Sequence, residues 1–378
     1  MEIVVAKKDL LRLVARCQGV ADRKSAMPAL SNVLLTAEGN VLRVSATDMY
    51  LGLTGQTSAE VATAGAIAVQ ARDLHDRIKA MPEGPISLTS AGGGQAVIKA
   101  AGSPRRFTVP SIPGTDFPVL PQPDPAAPQL TLPVELLSKL IARTHFSIST
   151  DETRAHVNSA LFEWAGDRVR VVTTDGHRLS KMEATVDGVS ATATMLIPLK
   201  AINELRRLAD DARADGKESD ALVSIRQSGP NAFFDIGGMR FSVKLVDAQF
   251  PPYQQVIPKS TDRTVRAPRK AFSDALDAVR IAASERTGGV KLTTTNGLLR
   301  ITSESPESGY GFDEIPVDFS GADLTIGFNA KYFLDVLGAL EDEEVLLGVS
   351  GELDPAIIRP ATESDKESFV AVVMPMRI

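Results

Sequence analysis

The segment Thr173–Ser180, with the sequence TTDGHRLS, places Asp175, His177 and Ser180 close together in the chain. A carboxylate, an imidazole and a hydroxyl are the groups of a hydrolytic triad, in which the imidazole takes the proton of the hydroxyl. If the segment is one strand, Asp175 and His177 share a face while Ser180 points to the other. The sequence signals no oxyanion hole and no further orienting group. A hydrolase is therefore one hypothesis, and a hydrogen-bonded structural histidine is another.

The elements that must position this segment recur three times along the chain. Each time a helix with an apolar stripe is followed by a hairpin, then by a second helix and further strands. Internal repetition on a scale of about 125 residues predicts tandem α+β domains, because each helix needs a sheet to cover its apolar stripe. The predicted helices are 7–18, 70–80, 134–145, 199–209, 268–281 and 330–340.

The strands and the boundaries between repeats follow the same pattern. A Pro-rich stretch separates the first repeat from the second, so we predict domains at 1–125, 126–260 and 261–378. The predicted hairpins pair 32–35 with 41–45, 158–164 with 169–173 and 290–294 with 298–302. The strands predicted for the second halves are 86–89, 96–100, 106–109, 222–226, 232–236, 240–245, 345–349, 356–359 and 370–374.

Composition limits the class of protein. The chain has 378 residues, one cysteine and four histidines. A single cysteine allows no disulfide within the chain, which is typical of a reducing cytoplasm, and the histidines have no zinc-binding spacing. No apolar run reaches the ~18 residues that predict a membrane span, and the first residues lack the features of a signal peptide. We therefore expect a cytoplasmic protein that needs no cofactor or metal and makes no membrane contact.

The charge distribution points to a polyanionic partner. The net charge is −6, which alone argues against nucleic-acid binding. The predicted helices nevertheless hold twice as many basic as acidic residues, so the rest of the chain carries the acidic excess. Lysine and arginine are good helix formers, and solvated helix faces are the structural explanation. The functional explanation is a helical surface that contacts the phosphates of duplex DNA without sequence preference.

Five short motifs resemble a known family. The chain resembles the bacterial replicative sliding clamps, the beta subunits of DNA polymerase III, over essentially its whole length. The motif TDGHRL and the C-terminal ending VVMPMR together are the most specific. The motifs are SNVLL at 31–35, TDGHRL at 174–179, KLVDAQFPPY at 244–253, GFNAKY at 327–332 and VVMPMRI at 372–378.

The resemblance implies a DNA clamp fold and a head-to-tail homodimer that closes into a ring of six domains. Twelve helices about 9–10 Å apart would line a circle roughly 36 Å across. Subtracting a helix diameter of about 10 Å from the width of this circle leaves a hole with room for duplex DNA, which is roughly 20 Å wide. Such a protein has no chemistry of its own and gives polymerases processivity. The implied partners are the DNA polymerase III alpha subunit, the clamp loader delta subunit, and other polymerases and repair proteins, which bind through short peptide motifs.

The resemblance also implies an apolar pocket for partner peptides. The sequence offers candidates for the DNA-facing residues and for the dimer interface, where a basic, aromatic edge would meet an acidic one; two unrelated surface charge clusters are the alternative. The pocket set is Val157, Thr174, Gly176, His177, Arg178, Leu179, Pro251, Val256, Asn329, Tyr332, Leu353, Val372, Met374, Pro375, Met376, Arg377 and Ile378. The DNA-facing set is Lys24, Arg72, Lys79, Arg154, Lys200 and Arg207. The dimer-interface set is Arg105, Arg106, Phe107, Ile281, Glu307, Asp313 and Glu314.

Some positions depart from the family pattern. Ile378 stands where many relatives have Leu, and Val157 replaces a larger aliphatic residue. Ala155 and His156 stand where some relatives carry aromatic residues thought to touch DNA, which leaves that contact open here. Two alternatives to the clamp also stay open at this point. One is the hydrolase, and the other is a non-encircling, β-rich interaction scaffold.

Overall fold

The computed structural model describes residues 1–22, 24–186, 192–215, 221–362 and 364–378. The described chain divides into two compact units. One unit combines Met1–Leu137 with Asn203–Leu245, and the other combines Ser138–Ile202 with Val246–Ile378. Among the described residues, no helix is long and apolar enough to cross a membrane.

The same order of elements occurs three times: strand, helix, four strands, helix, three strands, with one additional short strand in the first repeat. The first repeat contains β1 Glu2–Ala6, α1 Lys7–Cys17, β2 Asn32–Glu38, β3 Val41–Thr47, β4 Leu51–Ser58, β5 Glu60–Thr63, β6 Gly65–Gln70, α2 Ala71–Ala80, β7 Pro85–Ala91, β8 Gln95–Ala100 and β9 Arg106–Pro113. The second contains β10 Gln129–Pro133, α3 Val134–Ala142, β11 Ser159–Ala165, β12 Arg168–Thr174, β13 Arg178–Thr185, β14 Ala193–Pro198, α4 Leu199–Asp215, β15 Leu222–Ser228, β16 Asn231–Ile236 and β17 Met239–Lys244. The third contains β18 Arg263–Pro268, α5 Arg269–Val279, β19 Gly289–Thr295, β20 Leu298–Ser305, β21 Gly309–Pro316, β22 Leu324–Asn329, α6 Ala330–Ala339, β23 Glu344–Val349, β24 Ala356–Pro360 and β25 Glu367–Val373.

The six predicted helices and the three predicted hairpins are confirmed, with bounds that differ by a few residues. The opening strands β1, β10 and β18 were not predicted, because each has only five or six residues and runs directly into its helix. The strands β4, β13 and β21 were not predicted either; each is the third strand after the first helix of its repeat and is called the third strand on that count. Two of them contain glycines that interrupt the apolar alternation of a strand.

In the first unit, all strands belong to one antiparallel sheet of thirteen strands, in the order β10-β15-β16-β17-β4-β3-β2-β6-β9-β8-β7-β1-β5. The first and second repeats meet where residues 51–55 of β4 pair with residues 239–243 of β17. The third strand of the first repeat therefore pairs side by side with the last strand of the second.

In the second unit, the same rule joins the second and third repeats. Residues 178–184 of β13 pair with residues 367–373 of β25 within an eight-stranded sheet ordered β14-β11-β12-β13-β25-β24-β23-β18. A separate four-stranded sheet has the order β21-β20-β19-β22. The third strand of the third repeat, β21, is thus an edge strand with no partner on its outer side among the described strands.

The helices cover these sheets with buried apolar side chains. Leu10, Val14 and Cys17 of α1 are fully buried in the first unit. In the second unit, Phe272 of α5 and Phe333 of α6 meet edge to face, with ring centroids 5.9 Å apart. Burial of these large side chains supplies the main favourable term for folding.

The single cysteine should be inert in the native protein. Burial raises the pKa of the Cys17 thiol to about 12, although nearby Arg207 acts in the opposite direction. Iodoacetamide at pH 8 should therefore leave native Cys17 unlabelled, as judged by mass spectrometry, and should label it in urea. Because the folded-state pKa is raised, the thiol's contribution to stability is present below pH 9 and should be lost as the pH rises toward 12. A Ser58→Cys variant supplies an exposed thiol as control; equal labelling of both cysteines would contradict the prediction.

Candidate functional site

The segment TTDGHRLS is a hairpin turn rather than the end of one strand. β12 ends at Thr174, β13 begins at Arg178, and Gly176 between them has a φ of +94°. One carboxylate oxygen of Asp175 accepts hydrogen bonds from the backbone N–H groups of His177 at 2.8 Å and Arg178 at 3.0 Å. The expectation that Asp175 and His177 share a strand face was therefore wrong. Asp175 builds the turn that presents His177 to solvent.

This geometry removes the basis for a triad. The second carboxylate oxygen of Asp175 accepts from Arg178 Nε at 3.0 Å. Ser180 is fully buried, and its hydroxyl bonds to the Ser147 hydroxyl at 2.8 Å. The Asp175 carboxylate and the Ser180 hydroxyl are thus used in other contacts, whereas a triad needs hydroxyl, imidazole and carboxylate in series. Among the described residues, no group of three or more His, Cys, Asp or Glu side chains is arranged to hold a metal ion.

Arg178 is the most densely connected side chain of the turn. Its side chain is only 8% exposed and forms ion pairs with Asp175 at 3.0 Å and with Asp335 of α6 at 2.6 Å. It also donates to the Phe146 carbonyl. Its guanidinium lies 4.5 Å from the centroid of the Tyr332 ring, and burial raises the pKa of that tyrosine. Arg178 therefore ties the hairpin of the second repeat to the second helix of the third.

The C-terminal residues lie against this hairpin and the neighbouring sheet. The backbone N–H of Met374 donates to the His177 carbonyl at 2.9 Å, and the N–H of Met376 donates to the Gly327 carbonyl at 2.8 Å. A Cβ atom at Gly327 would collide with the Met376 carbonyl and with Ile378. The absence of a side chain at this position is what lets the tail approach the sheet so closely.

An apolar patch lies beside the tail. Leu179 and Val372, opposite each other on β13 and β25, are buried in one cluster with Tyr253. Val256, three residues after Tyr253, is 42% exposed, and Met374 is 37% exposed. The structure thus offers a buried apolar floor with exposed apolar side chains next to it, which is the usual composition of a peptide-binding surface.

The remaining predicted pocket residues have varied positions. Asn329 caps α6 by accepting from the Lys331 N–H at 2.9 Å. Leu353 is 68% exposed on a loop, and its part in the pocket stays a prediction. The structure brings the hairpin, Arg178, Tyr332 and the tail together. Val157 is buried, Pro251 and Pro375 are half-buried, and Arg377 is exposed.

Two of the predicted DNA-facing cations are used internally. Arg154 donates to the Asp175 carbonyl at 3.1 Å, so its guanidinium lies on the hairpin turn and belongs with the pocket. Arg207 forms ion pairs with Glu204 and with Asp211, the latter at 3.1 Å, and donates to the Arg16 carbonyl at 2.7 Å. A guanidinium has five N–H donors, so these contacts leave the DNA-facing role of both residues a prediction. The exposed members of the set are Lys24, Arg72, Lys79 and Lys200.

The predicted interface residues lie on or near two strands, one in each unit. Arg106 and Phe107 begin β9 and Arg105 directly precedes it; among the described strands, only β8 pairs with residues 106–110. In the third repeat, Glu307, Asp313 and Glu314 lie on or next to edge strand β21, and Ile281 is 77% exposed. The sequence interpretation missed Tyr310 and Phe312, which are 65% and 50% exposed on β21. Their spacing of two residues on an acidic strand is the signal that would have revealed them.

Comparison with known proteins decides the family. Residues 1–121, 131–252 and 254–377 match the family models of the N-terminal, central and C-terminal domains of the DNA polymerase III beta subunit. The chain belongs to the beta sliding clamp family. It is 34% identical to the beta sliding clamp of Pseudomonas putida and 30% identical to that of Escherichia coli K12, and each match covers both chains in full. The crystal structure of the DNA polymerase III subunit beta from Pseudomonas aeruginosa superposes with a TM-score of 0.92 at 33% identity over both full chains.

The family match confirms the recognition, fold and function that the motifs implied. The chain is a DNA sliding clamp, a processivity subunit that encircles duplex DNA and tethers the replicative polymerase. As a member of this non-catalytic family it is not a hydrolase.

Loss of Arg178 should destabilise the clamp strongly. Arg178→Met removes the common partner of two carboxylates from a buried site, a change that typically costs about 3–5 kcal/mol of unfolding free energy. Arg168→Met is a matched control, because the Arg168 side chain is 58% exposed and pairs with Glu183 at 2.9 Å. The control should lose about 1 kcal/mol or less of unfolding free energy. Urea titration followed by circular dichroism measures both; equal losses would contradict the assigned role of Arg178.

Proposed function

We propose that partner proteins bind the surface formed by hairpin 174–179, the apolar patch and the C-terminal tail 372–378. The observation that carries this proposal is the hydrogen bond between Met374 N–H and the His177 carbonyl, which places the tail beside the hairpin and next to buried Leu179. Methionines adapt their shape to different ligands, so exposed Met374 suits a site that serves several peptides. These peptides belong to the polymerase III alpha subunit, the clamp loader delta subunit and other polymerases and repair proteins.

The clamp closes as a head-to-tail dimer of three-domain chains, with domains at 1–125, 126–260 and 261–378. The support is the pairing rule within the chain, by which the third strand of one repeat pairs with the last strand of the next. By that rule β21 should pair with the last strand of another repeat. The last strand of the first repeat, β9, can fill this role when it comes from a partner chain. Opposite charges favour this pairing, because β9 begins with arginines and β21 carries Asp313 and Glu314.

Duplex DNA passes through the ring without sequence-specific contacts, in the cytoplasm. Lys24, Lys79 and Lys200 are exposed, and Arg72 is paired with Asp76 only at 3.7 Å in an exposed position. Exposed ion pairs of this kind contribute little and leave the arginine available to phosphates. Retention on DNA is then topological, and the cations serve as weak, exchangeable contacts.

A topological test separates a ring from an ordinary DNA-binding protein. The clamp, loaded by a clamp loader onto nicked circular DNA, should co-elute with the circle in gel filtration and should be released when a restriction enzyme linearises it. An Ile281→Asp variant is the control, because a carboxylate at the proposed interface should give monomers and abolish retention. Equal retention on circular and linear DNA would contradict encirclement.

Deletion of the tail should separate partner binding from ring closure. A chain that lacks Met374–Ile378 loses the exposed apolar part of the proposed peptide site and should no longer stimulate the polymerase. It should remain a dimer in light scattering, since the tail is distant in the chain from β9 and is not part of β21. Loss of the dimer would show that the tail is structural. Normal polymerase stimulation would place the peptide site elsewhere.

A further inference from the structure

A cleft opens in the eight-stranded sheet at the end of the β13–β25 pairing that lies away from the tail. β24 pairs with β25 from Ala356 opposite Val373 to Ile358 opposite Ala371, and the ladder stops there. β25 remains paired with β13 as far as Glu367. A cavity of about 600 Å³ lies between the separated strand ends. This volume is within the range of small-molecule sites, about 300–1,000 Å³.

A buried arginine lines this cleft, and its distances to neighbouring acceptors are longer than those of ordinary charged hydrogen bonds. Arg143 is 9% exposed. Its guanidinium lies 3.9 Å from Met182 Sδ, 4.0 Å from an Asp342 carboxylate oxygen and 5.8 Å from the centroid of the Phe369 ring. A guanidinium has five N–H donors, and a buried charge is favourable only when strong acceptors compensate its desolvation. The donors of Arg143 therefore have unused capacity for an acceptor that enters the cavity.

The other charges of the cleft favour an anion. Lys139, Lys181 and Arg359 also line the cavity, against the carboxylates of Asp342 and Glu367. The Lys139 ammonium is already paired with Glu367, and the Lys181 ammonium lies 3.5 Å from a Glu183 carboxylate oxygen. With Glu183 included, four basic groups against three acidic ones still leave a local positive excess in a chain whose net charge is −6. Field lines concentrate in such a low-dielectric recess, and this raises its affinity for multivalent anions.

We propose that this cleft binds a small multivalent oxyanion, of the polyphosphate or polycarboxylate class, with the Arg143 guanidinium as its principal partner. Guanidinium groups match the geometry of phosphate and carboxylate oxygens through paired N–H donors. Lys181 on β13 and Arg359 on β24 supply additional charge. The site is separate from the tail surface, so it neither depends on the proposed peptide site nor duplicates it.

Calorimetric titration of the whole clamp tests the proposal. Pyrophosphate and citrate serve as the two probes, at an ionic strength held constant with sodium chloride, and their relative affinities distinguish the phosphate from the carboxylate source. We expect saturable binding of at least one probe. Arg143→Gln should weaken it about tenfold or more, since hydrogen bonds to charged groups are worth about 1.5–3 kcal/mol. Arg168→Gln, which changes an exposed arginine outside the cleft, should bind as the unaltered clamp does.

A second variant distinguishes anion binding from a purely structural role of Arg143. Asp342→Asn removes a negative charge from the cavity lining and should strengthen anion binding severalfold, whereas loss of a structural ion pair would leave it unchanged or weaker. If Arg143→Gln fails to fold by circular dichroism, Lys181→Gln and Asp342→Asn decide the question through opposite changes in affinity. Absence of saturable binding to the unaltered clamp in the millimolar range, or equal affinities for all variants, would overturn the proposal.

Discussion

The structure depends on one constraint: the third strand of each repeat must find a last strand to pair with. Within the chain this need is met twice, by β17 for β4 and by β25 for β13. Among the described strands none pairs with the outer edge of β21, which carries exposed Tyr310 and Phe312. An open edge strand with exposed aromatic side chains is an aggregation hazard, and closure with another chain removes it. The repeat rule that builds each unit therefore also specifies the assembly that a sliding clamp needs.

The hairpin turn of the candidate peptide site is not itself a specialisation. The first repeat builds the same turn with Thr47 and Asp48: the Thr47 hydroxyl donates to the Leu51 carbonyl at 2.8 Å, and Asp48 accepts from the Leu51 N–H at 2.6 Å. Met49 even adopts a φ of +77° there, a conformation that costs a non-glycine residue roughly 1–2 kcal/mol. The Thr-Asp pair is thus a structural device common to both repeats. What distinguishes the second repeat is the residue after the turn, where an arginine replaces Leu51 and reaches the third repeat.

Local patterns predicted much of this fold, and long-range contacts explain what they left out. Helices and hairpins follow from apolar periodicity and turn residues, which neighbours in the chain determine. The role of Arg178 could not be predicted, because its partner Asp335 is distant in the sequence and no local pattern links them. The same holds for Arg154, whose acceptor is a backbone carbonyl brought near by folding. TTDGHRLS was wrongly interpreted as one strand because the positive φ of Gly176 turns the chain there. The spacing between Asp175 and His177 gives no sign of that turn.

The basic excess of the helices has two components that composition alone cannot separate. Several helix arginines hold the protein together: Arg16 is 6% exposed and pairs with Asp211 at 3.5 Å, and Arg269 donates to the Asp342 carbonyl at 2.7 Å. Lysines such as Lys8 and Lys79 are instead exposed on the same kinds of helix. The division follows the chemistry, since a guanidinium forms directed, partly buried hydrogen bonds while an ammonium stays hydrated on a flexible stem. Hydrated point charges hold phosphates loosely and exchange them readily, so a DNA face whose cations are mainly lysines suits a ring that has to move along the duplex.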